Sequence, residues 1–319
     1  MTRVRSNEPA AVFAAAVDGD RSALARLLTL VEQGGGPAHE VGKLAHARSG
    51  RAATVGITGA PGAGKSTLTS ALIGRIRSDA HRVAVLAIDP TSPFSGGAIL
   101  GDRVRMGEHS LDDGVFIRSM ATRGHLGGLA LATPEAVRVL DAVGYPWILI
   151  ETVGVGQVEV EVAGATDTRI VVLNPGWGDA IQANKAGLLE IADIFVVNKA
   201  DRPGTKETVR DLEQMLELSG RRDWIPPIVT TVATSADGVD ELWEQIGRHG
   251  KHLIASGELM RRRTDRLTDE LHRILAERLL QQARELGRGE RFNQLRAEVV
   301  AGNLDPWTAA DELLSTGSP

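Results

Sequence analysis

The feature that most constrains the fold is a glycine-rich turn between an apolar segment and a helical one. Residues 59–66 have the sequence GAPGAGKS, which matches the pattern G-x-x-x-x-G-K-[ST] and follows the apolar segment 54–58. Backbone N–H groups in such a turn form an anion-binding concavity, and the N-terminus of the next helix adds partial positive charge. The motif and its flanks therefore predict nucleotide binding rather than a ligand-free connection. The predicted contacts are Gly59, Ala60, Pro61, Gly62, Ala63, Gly64, Lys65, Ser66 and Thr67, with Lys65 at the β- and γ-phosphates and Ser66 at Mg²⁺.

Short apolar segments alternate with helical segments, which predicts an α/β fold with a doubly wound, mostly parallel sheet and helical extensions at both ends. The predicted strands are Thr54–Thr58, Val83–Ile88, Val115–Ile117, Trp147–Glu151, Thr168–Leu173, Asp193–Asn198 and Ile228–Thr231. The predicted helices between them include Lys65–Arg77, Thr133–Val143 and Gly204–Leu218. Helical patterns also cover residues 7–48, where Gly34–Gly36 is predicted to be a linker, and the chain from 238 onward. We therefore predict an N-terminal extension (1–50), a nucleotide-binding core (51–250) and a C-terminal helical arm (251–319).

The composition disfavours several classes of protein. The formal net charge is −5, so the average surface would repel a nucleic-acid backbone. The chain has no cysteine, which rules out disulfides, thiolate metal sites and cysteine nucleophiles. It shows neither a long apolar run nor a secretory pattern. We therefore expect a cytoplasmic protein with no nucleic-acid and no membrane partner.

A second motif predicts the base. Residues 198–201 have the sequence NKAD and follow the apolar segment 194–197. The Asp201 carboxylate can accept hydrogen bonds from guanine N1–H and the 2-amino group, whereas adenine offers no matching pair of donors. Asn198 and Lys199 are predicted to brace the loop and cover the base. The remaining predicted base contacts are Val232, Ala233 and Thr234, whose backbone would reach guanine O6.

Three acidic residues are predicted to face the metal ion, because parallel strands end at the ligand crevice. Asp89 and Glu151 end predicted strands, and Asp102 lies in the segment LGDR at 100–103. Mg²⁺ prefers oxygen ligands and keeps several waters, so some of these acids would act through a water. The predicted metal ligands are Ser66, Asp89, Asp102 and Glu151, and the predicted catalytic residues are Lys65, Asp102 and Glu151.

The segment after Glu151 predicts slow hydrolysis. The N–H of Gly154 is expected to sense the γ-phosphate. The next residue is Val155, which cannot orient the attacking water as glutamine does there in Ras-like enzymes, and Gln157 would have to reach back. We therefore expect a slow intrinsic reaction that a partner accelerates.

Six stretches together make the chain resemble one family, the MeaB/ArgK/MMAA group of P-loop GTPases in the SIMIBI class. They are GAPGAGKST (59–67), AIDPTSPFSGGAILGDRVRM (87–106), FIRSMATRGHLGGLA (116–130), ETVGVGQVEVEVAGATD (151–167), NPGWGDAIQANKAG (174–187) and EIADIFVVNKAD (190–201). The resemblance extends over nearly the whole chain. It implies GTP/GDP and Mg²⁺ as cofactors and a homodimer formed through the C-terminal helices. It also implies a chaperone that gates cofactor loading of adenosylcobalamin-dependent methylmalonyl-CoA mutase and protects that enzyme.

The resemblance further implies a switch segment that responds to the partner enzyme. Its residues here are Asp179, Gln182 and Lys185, which join Gly154 and Gln157 as switch or partner residues. Two positions depart from the family, since valine replaces the usual serine at both. Val158 lies beside the γ-phosphate switch. Val232 precedes Ala233, so the guanine loop loses a side-chain brace while keeping the Ala233 N–H.

Two other functions stay open at this point. The same switch could serve a related acyl-CoA mutase; a nickel-enzyme maturation role is disfavoured because the chain has no cysteine. A small-molecule kinase or transport-associated ATPase is the other class, and a phosphorylated product would identify it.

Two groups of basic residues give weaker signals. Arg118, Arg123 and His125 surround a glycine-dense turn and are predicted to belong to a switch loop that touches the partner or the phosphate. The run Arg261–Arg263 has acidic residues nearby and is predicted to be a solvated helix face.

Overall fold

The computed structural model describes residues 8–90, 107–122, 128–152, 164–176, 191–218 and 223–316, and the side chains of 89–90, 121–122 and 128–131 lie outside that description. The chain forms two compact units, Met1–Arg266 and Leu267–Pro319. The functional division predicted at residues 50 and 250 stays a prediction. Within the described ranges, no helix is both long and apolar enough to cross a membrane.

The first unit is built on a seven-stranded sheet in which every strand pair is parallel. The strands are β1 (Ala53–Gly59), β2 (Val83–Pro90), β3 (Val115–Thr122), β4 (Trp147–Thr152), β5 (Thr168–Leu173), β6 (Ile194–Asn198) and β7 (Ile228–Thr231). Their order across the sheet is β3-β2-β4-β1-β5-β6-β7. Strands β1, β5 and β6 are buried almost throughout, as parallel strands covered on both faces must be. All seven predicted strands are present.

Helices cover both faces of this sheet, which confirms the predicted doubly wound α/β fold. The helices of this unit are α1 (Pro9–Val17), α2 (Arg21–Gln33), α3 (Gly35–His46), α4 (Lys65–Ser78), α5 (Gly128–Ala142), α6 (Thr205–Leu218) and α7 (Val239–Ala255), and α8 (Glu258–Leu286) begins in it. One core packs α1, α2, α3 and α5 against β2, β3 and β4. The core on the other face packs α4 and α7 against all seven strands. A smaller cluster seats α6 on β5 and β6.

The N-terminal helices α1, α2 and α3 are part of the core that covers β2, β3 and β4. Leu27 and Leu28 of α2 are fully buried there. The predicted linker at Gly34–Gly36 is wrong, because Gly34 ends α2 and α3 begins at Gly35. Gly34 has φ of 73°, a left-handed conformation that ends a helix without the steric cost a side chain would add.

Arg118 is a structural residue, which corrects its assignment to a switch loop. It lies in β3 and donates to Glu32 and to Thr29, both in α2. Arg21 of the same helix donates to the carbonyl oxygens of Asp112 and Val115 at 3.0 and 2.7 Å. These bonds fasten α2 along the edge strand β3. Arg123 and His125 lie outside the described residues.

The second unit contains the rest of α8, α9 (Glu290–Val300) and α10 (Pro306–Thr316). Helix α8 ends at Leu286, directly before Gly287. Leucines recur every fourth residue along α8, and their side chains are exposed: Leu267, Leu271, Leu275 and Leu279. We call these four the leucine stripe. Its spacing places the four side chains along one face of the helix.

Candidate nucleotide-binding site

The turn between β1 and α4 depends on two glycines. Gly59 and Gly64 have φ of 142° and 89°. A Cβ at Gly59 would lie 2.1 Å from the carbonyl oxygen of Val172 in β5, and one at Gly64 would lie 2.4 Å from Asn198 Nδ2. Both distances are far inside van der Waals contact. The turn can therefore lie close to the ends of β5 and β6 only because these two positions carry no side chain.

The first turn of α4 offers backbone donors to an anion. The helix begins at Lys65, and its N-cap, Gly64, has no side chain to satisfy the N–H groups. The helix dipole places partial positive charge at the same point. A phosphate group is the kind of ligand that such a helix N-terminus binds.

Lys65 adds a full positive charge to this turn. Its side chain is buried, and Nζ donates to the carbonyl oxygens of Gly59 at 2.8 Å and Ala60 at 3.0 Å. Phosphate oxygens bound in the turn would compete with these two carbonyls for the ammonium group. A bond from the ammonium group to an anionic phosphate carries charge on both partners and is stronger than a bond to a neutral carbonyl, so the exchange favours the phosphate.

Ser66 and Glu151 meet across the end of the sheet. The β1–β4 pairing sets Ile57 opposite Glu151, which brings the carboxylate to the start of α4. The Ser66 hydroxyl donates to Glu151 Oε1 at 2.6 Å, and the two residues are 6% and 1% exposed. A buried hydroxyl oxygen beside a buried carboxylate is a donor set suited to Mg²⁺, which prefers oxygen ligands. The residues present therefore fit the predicted metal.

The structure does not describe the side chains of the remaining predicted metal and switch residues. The backbone of Asp89 ends β2, but its side chain is not described. The residues that fall wholly outside the described ranges are Asp102, Gly154, Gln157, Val158, Asp179, Gln182 and Lys185. Their roles stay predictions. Within the described ranges, no cluster of three or more histidine, aspartate or glutamate side chains forms a further metal site.

Asn198 and Lys199 connect the predicted base site to the phosphate turn. Asn198 Nδ2 donates to the Ala63 carbonyl oxygen at 2.8 Å, and Lys199 Nζ donates to the Gly62 carbonyl oxygen at 2.6 Å. Lys199 itself has φ of 60°, a conformation that is uncommon outside glycine and costs energy. The structure thus brings the two sequence motifs together. Asp201 follows two residues later and is exposed.

The loop after β7 is held by the same asparagine and by a brace that the sequence analysis missed. Asn198 Oδ1 accepts from the Ala233 N–H at 3.1 Å, the amide we predicted for guanine O6. The Val232 N–H donates to the Asp237 carbonyl oxygen at 3.0 Å, and the Ser235 hydroxyl donates to Asp237 Oδ2 at 2.6 Å. Ser235 thus supplies a hydroxyl brace in a loop where Val232 has none. In the sequence, the short spacing between Ser235 and Asp237 was the signal for this contact. Thr234 is exposed at the tip.

A second cluster of charged residues lies at the opposite end of the sheet, where β5 and β6 begin. Asp167 precedes β5 and Asp193 precedes β6, and both are buried. Arg262 donates to both carboxylate oxygens of Asp193 at 3.0 Å. Arg263 donates to Asp167 at 2.7 and 3.2 Å, and Arg266 donates to it at 2.5 Å. We call these five residues the arginine–aspartate cluster.

This cluster corrects the prediction that residues 261–263 form a solvated helix face. Only Arg261 fits that description, with a side chain 71% exposed against 18% for Arg262 and 23% for Arg263. The latter two lie 69 and 96 residues from their acids in the sequence. No local pattern could have signalled pairs so distant.

Arginine side chains, together with His249 at Asp193, decide the ionisation of the two acids. Burial alone would raise the pKa of Asp167, but hydrogen bonds and charges from Arg263 and Arg266 outweigh burial and hold that pKa below its usual value. Burial also opposes the charge of Asp193, and bonds from His249 and Arg262 lower its pKa in the same way. Both carboxylates are therefore charged at neutral pH, with their charge balanced inside the fold.

Known proteins are similar to this chain in sequence and in fold. The family model described as "Methylmalonyl Co-A mutase-associated GTPase MeaB" matches residues 24–287. A putative GTPase of Pyrococcus abyssi is 50% identical over 301 residues, which are 93% of each chain. The mouse protein named methylmalonic aciduria type A homolog, mitochondrial, is 34% identical over 95% of this chain and 78% of its own length. The crystal structure of an LAO/AO transport system kinase matches with a TM-score of 0.70 and 27% identity over 99% of both chains.

Proposed function

This chain belongs to the family of methylmalonyl-CoA mutase-associated MeaB GTPases, and on that premise we propose that it is a GTP-dependent chaperone of an adenosylcobalamin-dependent acyl-CoA mutase, methylmalonyl-CoA mutase being the first candidate. Membership of the family supports GTPase activity and guanine-nucleotide binding. The family description supports the mutase as the partner. The observation that carries the nucleotide-dependent part of the proposal is the connection between the two nucleotide motifs. Asn198 and Lys199 hold the carbonyls of Ala63 and Gly62, so one rigid unit would contact both base and phosphates.

In the proposed complex the phosphates lie at the start of α4 and the base lies beyond Lys199. Lys65 leaves the carbonyls of Gly59 and Ala60 and neutralises the β- and γ-phosphates. Asp201 accepts from guanine N1–H and the 2-amino group. Its exposure is compatible with this role, because the base would cover it.

Ser66 and Glu151 would hold Mg²⁺, Glu151 directly or through a water, together with Asp89 and Asp102. Bound Mg²⁺ supplies charge neutralisation at the phosphate oxygens during transfer to water. Ser66 would exchange its hydrogen bond to Glu151 for the metal.

Hydrolysis by the isolated protein is proposed to be slow, because Val155 cannot position the attacking water. A single-turnover assay of GTP cleavage, with and without methylmalonyl-CoA mutase, tests this. We expect a slow rate alone and a faster rate with the mutase. Fast cleavage by the isolated protein would contradict the proposal.

The mutase itself is tested by capture on the immobilised GTPase in the presence of GDP, of GTP or of a non-hydrolysable GTP analogue. We expect capture that depends on the nucleotide, with Lys65→Ala, whose nucleotide affinity should be weakened, as the control. Absence of capture and of any rate change would direct the search to a related acyl-CoA mutase. A phosphorylated small molecule among the products would instead favour the kinase class, the name carried by the LAO/AO relative. We propose the cytoplasm as the location, which fractionation of source cells tests.

We also propose a homodimer formed through the C-terminal helices. The leucine stripe supports it, because four apolar side chains that are 47% to 64% exposed offer a face to a second copy. Leu271→Glu should shift the sedimentation of the protein from dimer to monomer. Glu277→Gln, a change on the same helix outside the stripe, is the matched control.

A further inference from the structure

The loop that carries Asp201 is closed by backbone bonds on both sides of that residue. The Ala200 N–H donates to the carbonyl oxygen of Thr231, the last residue of β7, at 3.0 Å. The Arg202 N–H donates to the carbonyl oxygen of Lys199 at 3.0 Å. This second bond closes a β-turn in which Asp201 is the third residue. The turn leaves the Asp201 side chain exposed.

A threonine at the start of α6 bonds the residues immediately before and after Asp201. Thr205 is the first residue of that helix. Its hydroxyl oxygen lies 3.2 Å from the carbonyl oxygen of Ala200 and 2.9 Å from that of Arg202. A hydroxyl has a single proton to donate, so the two carbonyls share it in a three-centre bond. One side chain thereby holds the backbone on both sides of Asp201.

The start of α6 is itself attached to the chain that leaves β5. Thr208, which is 1% exposed, donates its hydroxyl proton to the carbonyl oxygen of Gly204 at 3.1 Å and accepts from the Gly176 N–H at 3.2 Å. Gly204 has φ of 93°, and a Cβ there would lie 3.3 Å from the backbone nitrogen of Gly176. This close approach therefore favours glycine at position 204. Thr205 thus projects from a fixed point of the fold.

We infer that Thr205 is a positioning residue for base recognition. A carboxylate on a loose loop would lose backbone freedom when it bonds the base, and that loss weakens binding. The three-centre bond from Thr205 fixes the turn before the nucleotide arrives, so less freedom remains to be lost. The hydroxyl then favours guanine through Asp201 without touching the base. The inference rests on the proposed function, because it takes Asp201 as the residue that reads guanine.

The test compares the affinities of the full chain for GDP and for inosine diphosphate, each measured by competition with a fluorescent guanine nucleotide. Inosine diphosphate lacks the 2-amino group, so the ratio of the two affinities reports the bond from that group to Asp201. Thr205→Val removes the hydroxyl and keeps the branched shape. It should lower the ratio about five-fold, the change that one hydrogen bond commonly contributes. Thr205→Ser keeps the hydroxyl and should keep the ratio.

Two features of this design separate positioning from a general loss of structure. Any unfolded fraction lowers both apparent affinities by the same factor, so it leaves their ratio unchanged. Thr308→Val is the matched control, because Thr308 lies in the first turn of α10 and its hydroxyl donates to Asp305 in the preceding loop. That variant should keep the ratio of the unmodified protein.

A double-mutant cycle with Asp201→Ala decides whether Thr205 acts through that carboxylate. If it does, Thr205→Val has no further effect on the ratio once Asp201 is replaced. An equal effect in both backgrounds, or a ratio that Thr205→Ser lowers as much as Thr205→Val does, would overturn the inference. If Asp201→Ala alone leaves the ratio unchanged, the proposed recognition of guanine fails, and the role of Thr205 fails with it. If Asp201→Ala lowers the ratio but Thr205→Val does not, only the role of Thr205 fails.

Discussion

The two ends of the parallel sheet use buried charged residues in opposite ways. At the carboxyl end, Lys65 bonds backbone carbonyls and Ser66 bonds Glu151, and an incoming phosphate or metal ion could replace these partners. At the amino end, Asp167 and Asp193 are held by arginines through several bonds each. The first end can exchange its partners, whereas the second has a complete set inside the fold.

This difference teaches that burial of charge does not by itself identify a functional site. Both ends contain buried ionisable groups, and the pKa values of the buried carboxylates Asp167 and Asp193 are lowered at the amino end, where we propose no chemistry. What separates the ends is the identity of the partners. Opposite charges in bidentate contact make a structural anchor, while a lysine on neutral carbonyls is poised to bind an anion.

The largest expected effect lies at the amino end. Asp167→Ala leaves Arg263 and Arg266 without their carboxylate and should lower the free energy of unfolding by about 3 kcal/mol, as removal of one partner of a buried pair does. Urea denaturation measures the loss. Asp240→Ala is the control, because that side chain is 86% exposed and should contribute little. If Asp167→Ala kept its stability but lost GDP affinity, the proposed difference between the two ends of the sheet would be contradicted.

At the carboxyl end the corresponding change is Lys65→Ala. Removal of the charge that would neutralise the phosphates should weaken GDP and GTP binding by about 100-fold, because charge-assisted bonds to phosphate are lost. The free energy of unfolding in the absence of nucleotide should fall much less than it does for Asp167→Ala. Titration with a fluorescent guanine nucleotide measures the affinity, and Lys43→Ala on the exposed surface of α3 is the matched control. Unaltered affinity would mean that the phosphates bind elsewhere.

Asp201→Asn tests base recognition without changing Lys65 or the arginine–aspartate cluster. The substitution turns one acceptor into a donor, so preference should move from guanine to xanthine by at least about ten-fold. Competition between GDP and xanthosine diphosphate for the same site gives the ratio. Retention of the guanine preference would place the base away from Asp201.

Acid should weaken the ion pairs at the amino end of the sheet. The folded-state pKa values of Asp167 and Asp193 are below their unfolded values, so their stabilisation is fully present above the unfolded pKa of about 3.9 and is lost as pH falls through the folded values. We expect urea midpoints to fall steeply below about pH 4. Asp167→Asn should flatten that fall, because the group that titrates is gone. An equally steep fall in this variant would assign the acid sensitivity to other residues.

The smallest expected effect is that of Ser235→Ala in the loop after β7. Loss of the bond from its hydroxyl to Asp237 should lower GDP affinity about two- to five-fold, the range of a single exposed hydrogen bond. Ser256→Ala, at the end of α7, removes a comparable hydroxyl far along the sequence from this loop and serves as the control. Equal affinities for Ser235→Ala and the unmodified protein would show that the brace is dispensable for the base site.

The sequence alone determined the elements whose signals are local. The apolar run before residue 59 and the glycines after it predicted a strand, a turn and a helix in the order the structure shows. The alternation of seven apolar segments with helices predicted the parallel sheet, since connections between parallel strands need such helices. Asn198 and Lys199 were also predicted to brace the site, because their motif follows a strand end.

Only the tertiary structure decided which distant residues became partners. The sequence predicted that Arg262 and Arg263 lie on a solvated helix face. In the structure they bond acids that are 69 and 96 residues away. The fold places the starts of β5 and β6 beside the first turns of α8, which brings these residues together. Ser70 likewise bonds Glu108 and His109, which lie 38 and 39 positions away in the sequence. Local propensity acts over a few residues along the chain, whereas the pairing of buried charges depends on distances in space, which exist only once the sheet has formed.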